Sequence, residues 1–230
     1  MAEVPQLIDG PLEAPATLLL AHGAGAPMDS AFMASIATGL ALRGWRVVRF
    51  EFPYMAQRRT DGKQRAPDRL ARLLVAFREQ ALALVGHGPL VIGGKSMGGR
   101  IASLLVDDLA VHGAVRGCLC LGYPFHPPGK PEQLRTAHLE TLQTRTLILQ
   151  GERDSFGKRG EVEGYTLSPA IEVQWIKAGD HSFKPTRSAG HSEADNWQAA
   201  VQAADQFMQG VLAPAGSQRQ DFRTASSPAP

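Results

Sequence analysis

Only two cysteines occur in the 230 residues, Cys118 and Cys120, two apart in an apolar run. On a strand such a pair shares one face with its Cβ vectors side by side, a geometry that does not favour a bridge. A disulfide-stapled fold is excluded, and both thiols read as reduced core residues. No stretch approaches the roughly 18 consecutive apolar residues of a membrane-spanning helix. Met1 to Gly10 holds neither the basic n-region nor the apolar core of a secretory leader, so the expectation is a cytoplasmic protein without a membrane partner. Charge of one sign is in short excess, with 24 Lys and Arg against 22 Asp and Glu for a net +2. No basic run carries the interleaved aromatics of a single-strand groove, which argues against nucleic acid. No spacing among the histidines and cysteines resembles a metal site.

What is there suits one soluble domain, 43% hydrophobic and 20% charged. Residues 1–212 are read as that domain. Residues 213–230, rich in Pro, Ser, Gln and Ala without an apolar period, are expected to be a disordered tail. Residues 1–16 allow at most a short edge strand. Strands are expected at Thr17 to Ala21, Trp45 to Phe52, Leu90 to Gly93, Gly117 to Leu121 with Val115 just before it, Thr144 to Gln150 and Ile171 to Ile176. Helical periods lie between them: Phe32, Met33, Ile36 and Leu40, capped by Asp29 or Ser30; then Leu70, Leu73, Leu74, Phe77, Ala81 and Leu84; then Ile101, Leu104, Leu105 and Leu109. A short helix is expected around Leu134 to Leu142, and the last helix groups Trp197, Val201, Ala204, Met208 and Val211. Arg58, Arg59, Lys63 and Arg65 are read as part of a long polar loop closed by Pro67. Strands alternating with helices predict a parallel sheet covered on both faces, with ligands beyond the carboxyl ends of the strands.

Gly94-Lys95-Ser96-Met97-Gly98 lies between an apolar strand and a helical pattern. A Gly-x-Ser-x-Gly in that context is a nucleophile elbow, in which small residues let a strained turn raise the serine hydroxyl above the sheet. Such a serine needs a base, and the base a carboxylate. Asp154 follows the strand ending at Gln150, and His181 follows the last strand, giving Ser96, Asp154, His181 in the chain order of α/β-hydrolases. Glu152 and Asp180 are alternative acids; His22, His126 and His191 are rival bases. His22 is better suited to ordering the first loop, and His191 lies in a Ser/Gly-rich stretch suited to capping the final helix. An oxyanion needs two N–H donors, one from Met97 and one from Gly23, Ala24 or Gly25, with Ala24 favoured. A dinucleotide-binding reading of that loop fails, because G-x-G-x-x-G from Gly23 would need glycine at Met28.

These stretches, Ala21-His22-Gly23-Ala24-Gly25, Gly93 to Arg100, Gly122-Tyr123-Pro124 with His126 to Pro131, Gly151 to Asp154 and Gly179 to Ser182, resemble a small α/β-hydrolase family. It includes the hydrolase-like subunit of the nonspecific-lethal histone acetyltransferase complex, a testis-expressed relative and many bacterial proteins, and is more distantly similar to dienelactone hydrolases. The resemblance spans residues 15 to 212. It implies an α/β-hydrolase fold with a mostly parallel six- to seven-stranded sheet, no lid domain, and Ser96, Asp154 and His181 as triad. Some members serve as scaffolds, so an idle interaction module stands beside the enzyme as an alternative, as does a small serine peptidase.

The expected activity is hydrolysis of a small or polar ester or thioester through an acyl-enzyme, with no cofactor. The proline-rich segment after Leu121 is too short for a helical lid, and long acyl chains would lose about 0.8 kcal/mol for each methylene left uncovered. His22, Tyr54, Arg58, Arg59, Tyr123, His126 and Lys130 are the expected substrate-binding residues. A basic rim of Arg58, Arg59, Lys63, Arg65, Lys130, Lys158, Arg159 and Lys184 raises the hypothesis of an anionic substrate. Lys95 needs a buried partner, with Glu152 and Asp180 as candidates. Oligomeric state is not legible.

Overall fold

A computed structural model describes residues 5–111, 113 and 115–213. The tail expected from residue 213 onward, Ala213 apart, lies outside the described residues. Seven strands form one sheet: β1 (Gln6–Asp9), β2 (Thr17–Ala21), β3 (Arg46–Phe50), β4 (Leu90–Lys95), β5 (Val115–Leu121), β6 (Thr146–Gly151) and β7 (Ile171–Ile176). Their order is β1-β3-β2-β4-β5-β6-β7, with β1 antiparallel to β3 and every other pair parallel. Arg49 fastens the antiparallel edge, donating to Asp9 at 2.8 and 3.1 Å and to the Met28 carbonyl at 2.8 Å.

Alternate strand residues feed two cores. Leu19, Ile92, Cys118, Cys120 and Ile148 face α3 (Leu70–Leu84) and α4 (Met97–Ala110), while Leu18, Leu20, Val91, Leu119 and Leu147 face α1 (Ala31–Ala41) and α6 (Glu193–Leu212). Central strands buried on both faces read as unbroken apolar runs, which is why β2 is buried at every position. The cysteines are free and share one face, their sulfurs 3.8 Å apart.

Several elements differ from the sequence reading. The polar stretch expected as loop begins with a helix, α2 (Pro53–Asp61), with Pro53 at its first turn, where a missing N–H costs nothing. Its charge misled the apolar-period reading, because the helix buries only Tyr54 and Met55 and docks through ions: Arg59 donates to buried Glu51 at 2.6 and 3.0 Å and to Asp29 at 2.9 Å. That bond also removes Asp29 as a cap for α1, and Ser30 at the cap position makes no side-chain cap bond. The helix expected near Leu134 shrinks to a 3₁₀ turn, Ala137–Glu140. A short helix, α5 (Arg159–Val162), went unread. The Ser/Gly-rich stretch around His191 does cap α6, through Ser192, which exchanges bonds with Asp195.

The sheet's centre is held by glycine. A Cβ at Gly94 would stand 2.5 Å from the Gly98 carbonyl carbon and 2.6 Å from the Ala21 oxygen, and one at Gly98 would stand 2.5 Å from that oxygen. Only hydrogen at these positions lets α4 start directly against β2 and β4. Gly98→Ala should therefore destabilise by about 3 kcal/mol, the upper end of the range for overpacking, lowering Tm by roughly 6–12 °C for a chain of this size. Gly160, whose added Cβ meets nothing within 4 Å, is the control: thermal denaturation of Gly160→Ala should show an unchanged or slightly raised Tm.

Candidate active site

Ser96 turns the chain from β4 into α4 at φ 51° and ψ −114°, a left-handed backbone that costs a non-glycine residue about 1–3 kcal/mol. Its N–H donates to the Leu121 carbonyl at 2.9 Å, pinning the turn to the neighbouring strand. Ser96 Oγ stands 2.8 Å from His181 Nε2, and His181 Nδ1 stands 2.7 Å from Asp154 Oδ2. A carboxylate only accepts, so Nδ1 carries the proton and Nε2 is free to accept from the hydroxyl. Glu152 and Asp180 are engaged elsewhere: Glu152 accepts from Ala178 N–H, and Asp180 accepts from Ser182 and Lys184 N–H to fold the loop bearing His181. The last helix holds that loop, Asn196 and Trp197 donating to the Phe183 and Ser182 carbonyls.

Asp154 is fully buried and its two oxygens are both occupied. Oδ1 accepts from Phe156 N–H at 2.9 Å; Oδ2 accepts from His181 and from Gln150 Nε2 at 2.9 Å. Gln150, itself buried, also exchanges bonds with the Tyr123 backbone, tying the acid to the neighbouring loop. It escaped the sequence reading although it left a signal, a lone amide ending an apolar strand. Phe156 was also missed. Its ring lies 4.2 Å from that of His181, at 31°.

Lys95 is buried, and its ammonium donates to the His181 carbonyl at 2.6 Å rather than to Glu152 or Asp180. Gly122, at φ 67°, makes room, since a Cβ there would come 2.9 Å from the ammonium. Burial pulls the Lys95 pKa down to about 8, against the attraction of Asp154 and Asp180. For His181, burial is the largest effect and lowers its pKa; Asp154 opposes this, and the Lys95 charge adds to it.

The loop after β2 is held from behind. His22 Nε2 accepts from Phe52 N–H at 3.1 Å, so its Nδ1–H donates to the Gly23 carbonyl at 2.6 Å. Tyr54 OH donates to the Ala24 carbonyl at 2.9 Å and lies 3.3 Å from that of Gly23. Across a trans peptide the N–H opposes the C=O, so the amides of Ala24 and Gly25 point away from Tyr54. At the other side, Met97 opens α4, where first-turn amides lack intrahelical acceptors.

Two cavities flank Ser96. One, about 320 Å³, is mainly apolar and holds Gly23 to Ala26, Phe32, Met33 and His181; the other, about 370 Å³, holds Met97, Arg100, Arg135 and Asp68. Ala24, Ser96 and Phe156 border both.

The expected substrate-binding residues mostly lie elsewhere. His22 and Tyr54 are buried struts of the first loop. Tyr123 is fully buried, its hydroxyl donating to the Arg135 carbonyl at 2.9 Å. His126 is buried with Nε2 3.5 Å from Glu161. Arg58 and Arg59 border a separate recess with Glu51, and Lys130 is exposed. The basic rim is partly neutralised from within, since Arg59, Arg65 and Arg159 pair with acids of this chain. Short loops juxtapose charges that sequence shows only as a sum.

Residues 14–209 match the family described as alpha/beta hydrolase domain. The chain belongs to it. Solved structures share the fold at low identity. The dienelactone hydrolase of Anabaena variabilis superposes with a TM-score of 0.67 at 17% identity, covering 90% of this chain and 91% of that one. A serine hydrolase homologue from Coxiella burnetii gives 0.64 at 16%, covering 88% and 90%. A lidless a/b serine hydrolase from Xanthomonas campestris gives 0.62 at 17%, covering 90% and 95%. In this α/β-hydrolase likewise, the segment between β5 and β6 carries only a 3₁₀ turn and no helical lid. No helix among the described residues is long and apolar enough to cross a membrane, and no cluster among them could hold a metal ion.

The surroundings of His181 predict an imidazole that stays neutral to lower pH than a free histidine. Its NMR titration midpoint should lie below 6.5. Lys95→Met removes a cation that repels the imidazolium, so the midpoint should move up; a downward move would contradict the assigned electrostatics.

Proposed function

We propose that this α/β-hydrolase is a serine hydrolase that cleaves carboxylic esters or thioesters through an acyl-enzyme. The observation carrying the reading is the unbroken Ser96–His181–Asp154 hydrogen-bond chain at 2.8 and 2.7 Å. Ser96 Oγ attacks the carbonyl carbon while its proton passes to His181 Nε2, and Asp154 stabilises the imidazolium through Nδ1–H. The oxyanion is held by the Met97 and Ala24 amides. This role is supported by the free first turn of α4 and by the Tyr54 and His22 bonds that turn the loop amides away from those side chains. Collapse breaks the bond to the leaving group, which takes the proton from His181; water then repeats the sequence on the acyl-enzyme. No cofactor enters either half.

Within the family, the five matching loops support the branch of the nonspecific-lethal complex subunit and its testis-expressed relative. The open site supports small acyl groups, and the two free buried thiols support a reducing, cytoplasmic setting.

Fluorophosphonate labelling with peptide mapping tests the reading before a substrate is known. The expected result is stoichiometric labelling at Ser96, abolished in Ser96→Ala and reduced at least about a thousandfold in rate in His181→Ala. A folded wild type that takes no label would favour an idle module. On a reporter ester, Tyr54→Phe should lower kcat by about tenfold or more with KM little changed, because it frees the loop carrying an oxyanion donor.

A further inference from the structure

Arg100 and Arg135 border the same cavity as Ser96, yet neither side chain has an acidic partner or hydrogen-bond acceptor among the described residues. Arg100 Nε is shut off from solvent and has no hydrogen-bond partner among the described residues. Leaving a buried guanidinium nitrogen unpaired is costly, and bringing a second guanidinium beside it adds repulsion. Burial and the nearby Arg100 charge both push the Arg135 pKa down, and the same two influences bring His138 to about 4.

The placement is built rather than incidental. Arg100 follows Ser96 by one helical turn, its N–H donating to the Ser96 carbonyl at 3.0 Å. The Arg135 backbone is held at both ends, N–H to the Phe125 carbonyl at 2.7 Å and C=O accepting from Tyr123 OH. The nearby acids are committed. Asp68, which also borders the cavity, accepts from Tyr54 N–H at 3.0 Å and pairs with Arg72 at 3.0 Å. Asp107 accepts from Gln143 and Thr144.

We propose that Arg100 and Arg135 form a carboxylate-binding subsite, and that the favoured substrates are half-esters or half-thioesters whose acyl part ends in a second carboxylate. This rests on the hydrolase reading above. The acyl rather than the leaving side follows from His181, which must protonate the departing group and borders only the apolar cavity. The leaving group therefore departs through that cavity, and the acyl chain runs past Met97 toward the arginines. Two guanidiniums offer the planar, bidentate donors that a carboxylate accepts.

The test compares monoethyl succinate, glutarate and adipate with the corresponding carbamoyl esters, which are neutral and nearly isosteric. The wild type should favour at least one half-ester over its carbamoyl partner by about tenfold or more in kcat/KM, the scale of a charge-assisted hydrogen bond. In Arg100→Gln and Arg135→Gln that ratio should fall toward one. A ratio between two substrates is unaffected by loss of active protein, so a poorly folding variant still reports. Arg135→Lys should keep part of the preference. Protection of Ser96 from fluorophosphonate by free glutarate, but not by glutaramide, gives a binding readout without turnover. A wild type that labels at Ser96 yet shows ratios near one throughout overturns the subsite and leaves the hydrolase standing. A wild type that does not label overturns both.

Discussion

The molecule depends on how closely α4 approaches the centre of the sheet. Gly94 and Gly98 remove two Cβ atoms that would both collide with the Ala21 carbonyl, the first also with the Gly98 backbone and the second with the His22 carbonyl, and Ser96 between them accepts a left-handed conformation. Three consequences share this one contact. The serine hydroxyl meets His181, α4 begins at the next residue, Met97, and the loop after β2 lies against Ser96, where Gly23 would bring a Cβ within 3.6 Å of its side chain. The strain at one residue is sustained because two buried cores, one on each face, hold β4 and α4 where they are.

Around that contact, the site is kept in order by polar groups that hold its side chains and loops in place. Gln150 aligns Asp154, Asp180 folds the loop of His181, Lys95 grips that loop's carbonyl, and Tyr54 with His22 braces the loop after β2. All but the half-buried Asp180 are buried, and each has a specific partner, as polar groups away from water must. Arg100 and Arg135 stand out by contrast, because two backbone bonds position Arg135 while neither side chain has an acceptor among the described residues.

The basic rim shows how charge read along a chain misleads. Arg58, Arg59, Lys63, Arg65 and Arg159 look like one field in sequence, yet Arg59, Arg65 and Arg159 are answered by Glu51, Asp61 and Glu163. Two of those pairs join residues four apart: Arg159 with Glu163 runs along α5 and its cap, whereas Asp61 with Arg65 spans the turn after α2 ends at its Gly62 cap. Arg100 and Arg135, the cations that border the cavity beside Ser96, lie instead in a motif already quoted for its glycines and in the stretch expected as a helix around Leu134 to Leu142.

By itself the sequence determined the alternation of strands and helices, the elbow at Ser96 and the chain order of Ser96, Asp154 and His181, because apolar periodicity and short turn motifs are local properties. It favoured Asp154 over Glu152 and Asp180 as the acid for His181 without deciding among them, since carboxylates on neighbouring loops can be told apart only once the strands fix where each loop points. Tertiary structure decided that choice, turned Tyr54, Tyr123 and His126 inward as supports, and gathered Arg100 and Arg135 at one cavity from positions 35 residues apart. Partners at such separations are chosen by packing, and packing is set by the whole sheet rather than by any stretch of it.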